Sequence, residues 1–597
     1  MRFVRILLAL AFVLLVARLV DVQVVHAGAY EAAARGESSI SVPLPSLRGG
    51  IYARDGSPLA LSVATEDVVA DDFQVTHPIQ TAEALSPLLN IPAATLAAKL
   101  HEPSGYVILA RQLPQATANK ISSDAIPGIT LIADAKRIVP NGNLASPLIG
   151  FTNGAGHGAA GIEYGDNSLL AGVNGEETIM ESPSGVAIPQ SPVTNQTPTT
   201  PGTGVELTID SQLQYEAEQS LAKAIESSNA LSGTAIVMDV KTGQILSMAN
   251  LVANHPSANA APAASSTPAT GANGVVPIGP HDAVNEAPNN LAVTQLYEPG
   301  SVFKLVTFSA ALQDGLINPN SVFTVPDQIM LDGSLFHDAE THPTEQLSAT
   351  QILAQSSNIG TSEIAQGVGE QRLLAQVKEL GFGQDTGLDF PGESQGLLAT
   401  PAQWEPTDYV SLPIGQVDAV NALEVLDAYN TVANGGVFVA PKLVQGTVSP
   451  TGTLTPTAPS STHQVLSPSV NAELTNMLEQ VVVSGTGTSA TIPGYTVAGK
   501  TGTAQIPTAG HDSYIQGAYM ATFVGFAPAS NPTLSMIVVL DRPTPIFGGT
   551  VSAPVFSQIM SYALHRYDIP TTPGAAAGNG PGASTPPPAT SQTQDIT

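Results

Sequence analysis

The stretch GYTVAGKT at 494–501 decides how the C-terminal half of this chain is read. Gly494, four intervening residues, then Gly499, Lys500 and Thr501 match a phosphate-binding loop letter for letter, and IVVLD at 537–541 resembles the acidic strand end that would hold magnesium. Such a loop needs a strand before it and a helix directly after the lysine, so that phosphates rest on the helix N-terminus. The context here is different. Tyr495 to Ala498 alternate as a strand does, and the following GTAQIP carries Gly502 and Pro507, a poor helix start. The segment reads as a strand running through Lys500, and the lysine needs another role.

Lys-Thr-Gly is also one of three short motifs that serine acyl-transfer sites combine, the others being Ser-x-x-Lys and Ser-x-Asn. Each alone is weak. Ser220 to Lys223, Ser227 to Asn229 and Lys241 to Gly243 form a complete but cramped set. Ser220 and Lys223 lie with Glu216 and Gln219 on one polar stripe of a helical pattern at 211–228, which reads as a solvated face. Ser227 and Asn229 fall at that helix's end, and Lys241-Thr242-Gly243 is a turn between strands.

A second set has better surroundings. In YEPGSVFKLVTFSAALQ (297–313), Pro299 and Gly300 precede a helical pattern that begins at Ser301. That places Ser301 at a helix N-terminus, where the dipole favours developing negative charge, and stacks Lys304 on the same face. Ser301 alone reads equally as a helix cap. Lys304 is harder to explain that way, because a lysine in so apolar a helix must be paired or neutral. Ser356-Ser357-Asn358 interrupts an apolar stretch and taken alone reads as a loop or helix junction; Lys500 alone reads equally as an exposed edge-strand lysine that blocks aggregation. The joint occurrence and order of the three motifs carry the case.

These motifs, with longer segments around them, resemble class B penicillin-binding proteins. YEPGSVFK, SSN and AGKTGTAQ match that family's three active-site motifs. RGGIYARDGSPLA (48–60) and GAAGIE resemble pieces of its membrane-proximal pedestal, while LGFGQDTGLDFPGE (380–393), IGQV (414–417) and AYNTVANGG (428–436) resemble its transpeptidase domain. The details look most like the division-type branch. Val417 stands where the family usually has glycine, Ala53 and Asp55 where Asp and Asn are more usual, and the 255–288 insertion is unusually long.

The resemblance implies a multidomain α+β chain. It would comprise a cytoplasmic end and transmembrane anchor at 1–27, an elongated mixed pedestal (dimerisation) domain at 28–200, and a transpeptidase domain at 201–567. The last would have the penicillin-binding, serine β-lactamase-like fold, an antiparallel sheet flanked by helices. A Pro/Ala/Ser/Thr-rich tail at 568–597 is expected to be disordered. By the same resemblance Ser301 is the nucleophile towards a D-Ala-D-Ala stem peptide and Lys304 its base. A serine hydroxyl needs such a base, and desolvation plus the like charge of Lys500 would keep it neutral. Ser356 relays a proton, and Asn358 binds a substrate amide and Lys304. Lys500, Thr501, Gly502 and Thr503 receive the substrate carboxylate, and the backbone N–H groups of Ser301 and Thr503 form the oxyanion hole. Implied partners are stem peptides as donor and amine acceptor, β-lactams, a membrane-embedded glycan polymerase and division proteins. The alternatives are a D,D-carboxypeptidase, or a β-lactam sensor or division scaffold with little turnover.

Composition agrees with export and argues against other classes. Among 597 residues, 49 are acidic and 20 basic, for a net charge of −29, which repels nucleic acid. There is no cysteine for disulfides, thiol catalysis or thiolate metal sites. His337 and His342 lack the helical zinc spacing, so neither metal nor cofactor is expected. ILLALAFVLLVARLVDVQVV (6–25), preceded by Arg2 and Arg5, is long enough to cross a bilayer. The leading arginines favour a single pass with the N-terminus inside and the catalytic domain outside the cytoplasmic membrane. VHA at 25–27 also resembles a signal-peptide cleavage site, but the apolar run is longer than a typical signal core.

Between anchor and motifs, residues 28–200 read as short strands with Pro/Gly breaks, ending in the linker SPVTNQTPTTPGTG (191–204). Helices are expected near 211–228, 301–314, 347–367, 370–380, 421–434 and 552–566, and strands near 495–504, 517–527 and 533–541. Residues 255–288 read as a long surface loop.

Overall fold

The computed structural model describes residues 2–30, 39–102, 104–180, 195–254, 283–331, 334–402, 404, 408–508 and 513–573. The first element is a continuous helix over Arg2–Val25, 24 residues, whose most apolar 18-residue window has a mean hydropathy of 2.6 and is unburied among the described residues. Arg18 donates to Asp21 at 2.5 Å near its C-terminal end, where a long cationic side chain can reach an interface.

Residues 39–180 hold more regular structure than their Pro/Gly breaks suggest. The strand Pro58–Ala70 pairs antiparallel with both Val107–Pro114 and Ile129–Ile138. Helices Pro78–Leu89, Ala93–Lys99 and Gln115–Ser123 pack around it through Leu85, Leu96 and Ile121, against Leu109 of the strand Val107–Pro114. The sequence reading missed these helices because prolines that look like breakers start them: Pro78 occupies the first helical position, where its missing N–H costs nothing, and Pro92 and Pro114 are N-caps. The two signatures RGGIYARDGSPLA and GAAGIE meet in the fold. Arg48 Nε lies 2.5 Å from Glu163 Oε2, and Arg137 Nε lies 2.7 Å from the other carboxylate oxygen. Ile51–Tyr52 then pairs in parallel with Val205–Glu206, so one sheet continues out of this region to Val444–Val448.

The remaining chain forms the layered body that carries the motifs. Its main elements are α1 (Ser211–Ser228), β1 (Ser232–Asp239), β2 (Ile245–Ala253), β3 (Val284–Glu286), α2 (Lys304–Gln313), α3 (Ala349–Gln355) and α4 (Asn358–Val368), followed by α5 (Ala422–Ala433), α6 (Pro468–Val483), β4 (Ala498–Pro507), β5 (Tyr514–Ala527), β6 (Leu534–Asp541) and α7 (Ala553–Arg566). The sheet order is β3-β2-β1-β6-β5-β4, antiparallel throughout. Both faces are covered, which is why its strands read as unbroken apolar runs. Leu213, Leu221 and Ile225 of α1 and Phe556 and Ile559 of α7 pack on Ala235, Val237, Phe523 and Val538. Ile236, Met238, Val524 and Ile537 face the other way, into the cluster that holds Phe308 of α2 and Leu426 of α5. Each such side chain contributes about 1.5–3 kcal/mol when fully buried. The α+β class and the antiparallel sheet flanked by helices are as expected.

Three sequence expectations need correction. The 347–367 helix is two helices, broken at Ser356–Ser357. The end of the 255–288 insertion is β3, an edge strand of the main sheet; residues 255–282 lie outside the described residues. The tail expected to be free from 568 is ordered to 573, with Tyr495 OH donating to Ile569 O at 2.8 Å and Thr572 N to Gly494 O at 2.9 Å; 574–597 lie outside the described residues.

Candidate active site

Ser301 does not open an α-helix. It sits in a 3₁₀ turn, Gly300–Phe303, and α2 starts at Lys304. The tighter turn follows from Gly300, whose φ of +60° is free of strain only without a Cβ, and whose added Cβ would lie 3.0 Å from that of Ala504. The turn therefore lies directly against β4. Gly502 has the same origin, since a Cβ there would come within 3.1 Å of Pro299 O and of Val302. On the other side Gly300 N donates to Gly415 O at 2.9 Å.

Lys304 and Lys500 are both 0% exposed. Lys304 Nζ donates to Ser356 O at 2.5 Å, Ser356 Oγ at 3.2 Å and Asn358 Oδ1 at 2.8 Å. Lys500 Nζ donates to the same Ser356 Oγ at 2.9 Å, and to Thr501 O at 3.1 Å. Lys500 lies on the edge strand of the sheet, yet it points inward, so the aggregation-blocking reading does not hold. Burial lowers the Lys304 ammonium to about 7 against a small opposing pull from Asp338. Burial, and then the neighbouring Lys304, drive Lys500 well below its ordinary value. Two buried ammonium groups sharing one hydroxyl cannot both stay charged cheaply. Thr501 Oγ1 meets Thr486 Oγ1 at 2.6 Å, and Thr503 Oγ1 accepts from Gly548 N at 3.2 Å. Lys304, Ser356, Asn358 and Lys500, from three motifs far apart in sequence, thus join in one hydrogen-bonded cluster, and the Gly300–Phe303 turn that carries Ser301 lies against β4 beside it.

The early motif set stays apart. Ser220 Oγ donates at 3.2 Å to Glu216 Oε1, which also accepts from Gln558 of α7; contrary to the solvated-face reading, Ser220 is buried, while Lys223 is exposed. Asn229 is the left-handed cap of α1, and Asp239 ties the turn at Lys241–Gly243 by accepting from both backbone N–H groups at 3.1 and 2.9 Å. Among the described residues no group of three His, Cys, Asp or Glu side chains is placed to hold a metal ion.

Two contributors were missed from sequence. Asp338 binds the Ser357 hydroxyl at 2.7 Å and the Asn358 and Ile359 amides at 2.5 and 3.1 Å. Glu298, just before Pro299, accepts from Val417 N at 3.3 Å and from Tyr514 OH at 3.1 Å. Glu298 lies inside YEPGSVFK but outside its Ser-x-x-Lys positions, and Asp338 belongs to no spaced motif.

Comparison with known proteins agrees with this geometry. Residues 233–561 match the model of the penicillin-binding protein transpeptidase domain, and 43–214 that of the penicillin-binding protein dimerisation domain. The chain belongs to the class B penicillin-binding proteins. It is 32% identical to the penicillin-binding protein PbpB of Mycolicibacterium smegmatis, covering 95% of this chain and 90% of that one. It is 31% identical to the peptidoglycan D,D-transpeptidase FtsI of Escherichia coli K12, covering 94% and 91%. The structure of penicillin-binding protein 3 from Mycobacterium tuberculosis complexed with aztreonam superposes with a TM-score of 0.67 at 28% identity, covering 90% of this chain and 99% of that one. In this penicillin-binding protein Val417 has a φ of +81°. It holds, with a β-branched side chain, a backbone conformation that glycine adopts freely.

Proposed function

We propose that this penicillin-binding protein is a serine-type peptidoglycan D,D-transpeptidase that cross-links stem peptides beside the cytoplasmic membrane, in cell division. The observation that carries the reading is the single hydroxyl of Ser356 held between Lys304 Nζ and Lys500 Nζ, next to the Ser301 turn. In the proposed reaction neutral Lys304 takes the Ser301 proton as Oγ attacks the carbonyl between the two terminal D-alanines. The oxyanion forms between the N–H groups of Ser301 and Thr503, and losing one such donor typically costs about 2.7–4 kcal/mol. The C–N bond breaks as the departing D-alanine amine takes a proton through Ser356. Lys500, Thr501 and Thr503 hold the donor's carboxylate, and Asn358 orders Lys304 and a substrate amide. An amine of a second stem peptide then attacks the ester, gives its proton to Lys304, and Ser301 leaves protonated. β-Lactams acylate Ser301 by the first half of this sequence.

The apolar helix Arg2–Val25 serves as a single-pass anchor, with the N-terminus inside and the catalytic domain outside, within reach of a membrane-embedded glycan polymerase and division proteins. Fluorescent penicillin tests the site. Wild type and Ser220→Ala are labelled and Ser301→Ala is not; labelling of Ser301→Ala refutes the assignment. Incubation with a stem-peptide donor and an amine acceptor yields a cross-linked dimer, whereas D-alanine release without any dimer makes the protein a carboxypeptidase.

A further inference from the structure

We propose that Asp338, backed by His342, is a positioning residue for acyl transfer, holding the Ser356–Asn358 turn in its working shape and acting through Asn358 on Lys304. The inference rests on the transpeptidase reading of the same site. Asp338 follows a short hairpin, Gln328–Leu331 paired with Ser334–His337, in the segment between the first two motifs. Its carboxylate receives the Ser357 hydroxyl and two successive amides, Asn358 N and Ile359 N, at the first turn of α4. Negative charge is favoured at that helix end. The hairpin adds a further tie, because His337 O accepts from Asn358 Nδ2 at 3.2 Å. That leaves Asn358 Oδ1 turned to Lys304 Nζ.

The turn needs such a clasp. Ser356 has a φ of +64°, a left-handed backbone that a serine keeps only when its surroundings over-determine it. Its carbonyl and hydroxyl both face Lys304 from that conformation. Released, residue 356 would relax and withdraw both acceptors. The charges around the clasp are few. Lys304 faces Asp338 and Lys500; Asp338 faces the His342 Nε2 at 3.2 Å; His342 faces Asp338 and Glu345. The His342 ring is raised above its ordinary value first by its contact with Pro343 O and then by Asp338. Asp338 carries negative charge near Lys304, and protonated His342 partly offsets it. The pair therefore tunes the base as well as placing it.

The test is the rate of acylation by fluorescent penicillin against pH for the full-length protein, with thermal unfolding alongside. Asp338→Asn is expected to acylate about 10- to 100-fold more slowly, as loss of sub-ångström positioning does. The rise of its rate with pH moves to lower pH, because Lys304 loses a neighbouring anion. His342→Gln, at a partly exposed position, moves that rise to higher pH, because it removes a cation. A uniform slowing with no movement of either profile, or unchanged rates, overturns the proposal. If Asp338→Asn does not fold, His342→Gln decides alone, by a shift to higher pH or none. Failure of wild type to be acylated would instead refute the transpeptidase reading itself.

Discussion

Lys500 Nζ donates to Ser356 Oγ at 2.9 Å, joining the edge strand of the main sheet to the junction of two helices on the opposite wall. Leaving a buried hydrogen-bonding group without its partner typically costs about 1–3 kcal/mol. Lys500→Ala is therefore expected to lower the second-order rate constant of penicillin acylation by roughly 30-fold. Lys500→Arg supplies donors but not the compact reach of the lysine nitrogen, and recovers little. Stopped-flow labelling measures both.

The lysine that acts as base sets the pH profile. With Lys304 lowered to about 7, the acylation rate rises as pH increases through about 7 and then levels, since only the neutral amine accepts a proton. The same group makes a stability contribution of definite sign. Its folded value lies below the ordinary 10.5, so between those values the unfolded chain binds more protons, and stability from this group rises with pH across that window. A rate profile flat from pH 5.5 to 8.5 would contradict the assignment.

Buried carboxyls act in the opposite direction. Glu218 of α1 and Glu286 of β3 are buried against each other; burial raises Glu218 to about 7 and drives Glu286, which also feels Glu218, well above its ordinary value. Glu218 also accepts from Ala145 N at 2.9 Å, tying α1 to the preceding region. The folded state keeps protons that the unfolded chain releases above about pH 4 to 5, so this pair's contribution is full below that range and is lost as pH rises through the folded values. Glu286→Gln removes one titrating group. It is expected to raise the unfolding free energy at pH 8 relative to wild type, by something on the order of 1 kcal/mol, and to leave that at pH 5 nearly unchanged. Calorimetry at the two pH values checks this.

Neighbouring backbone positions respond to substitution in opposite ways. Val417 at φ +81° bears strain of about 1–2 kcal/mol that glycine would not, while glycine costs about 0.5–1 kcal/mol in the unfolded chain. Val417→Gly is expected to be neutral or slightly stabilising, unlike most Val→Gly changes. Gly415→Ala has no such latitude, because its Cβ would stand 2.0 Å from Gly300 O at a φ of +87°. Movement of the Ser301 turn should then abolish labelling by penicillin. Unfolding curves and labelling of the two variants provide the comparison.

Removal of residues 2–30 is expected to move the protein from the membrane fraction to the soluble one while Ser301 is still labelled. Among the described residues none of the helix's most apolar window is buried, so the body is expected to stay folded without it. Persistence in the membrane after alkaline wash would mean a second attachment.

Much of this was legible in the chain because it is local. The apolar run of the anchor, the strand character around Lys500, and α1 with its capping Asp210 and Asn229 are set by residues within a few positions of one another. So was the implausibility of a charged lysine in VFKLVTFSAAL. The motif order and the family resemblance followed from the same short patterns. Other features depend on partners distant in sequence. The break at Ser356, the inward turn of an edge-strand lysine, the clasp of Asp338 and the strain at Val417 arise from contacts between segments that only packing brings together. By itself the sequence determined which residue types could transfer an acyl group and on what elements they ride. Only the tertiary structure decided that Lys304 and Lys500 are both buried and share one hydroxyl, because desolvation and hydrogen-bond geometry belong to the packed whole and not to any stretch of chain.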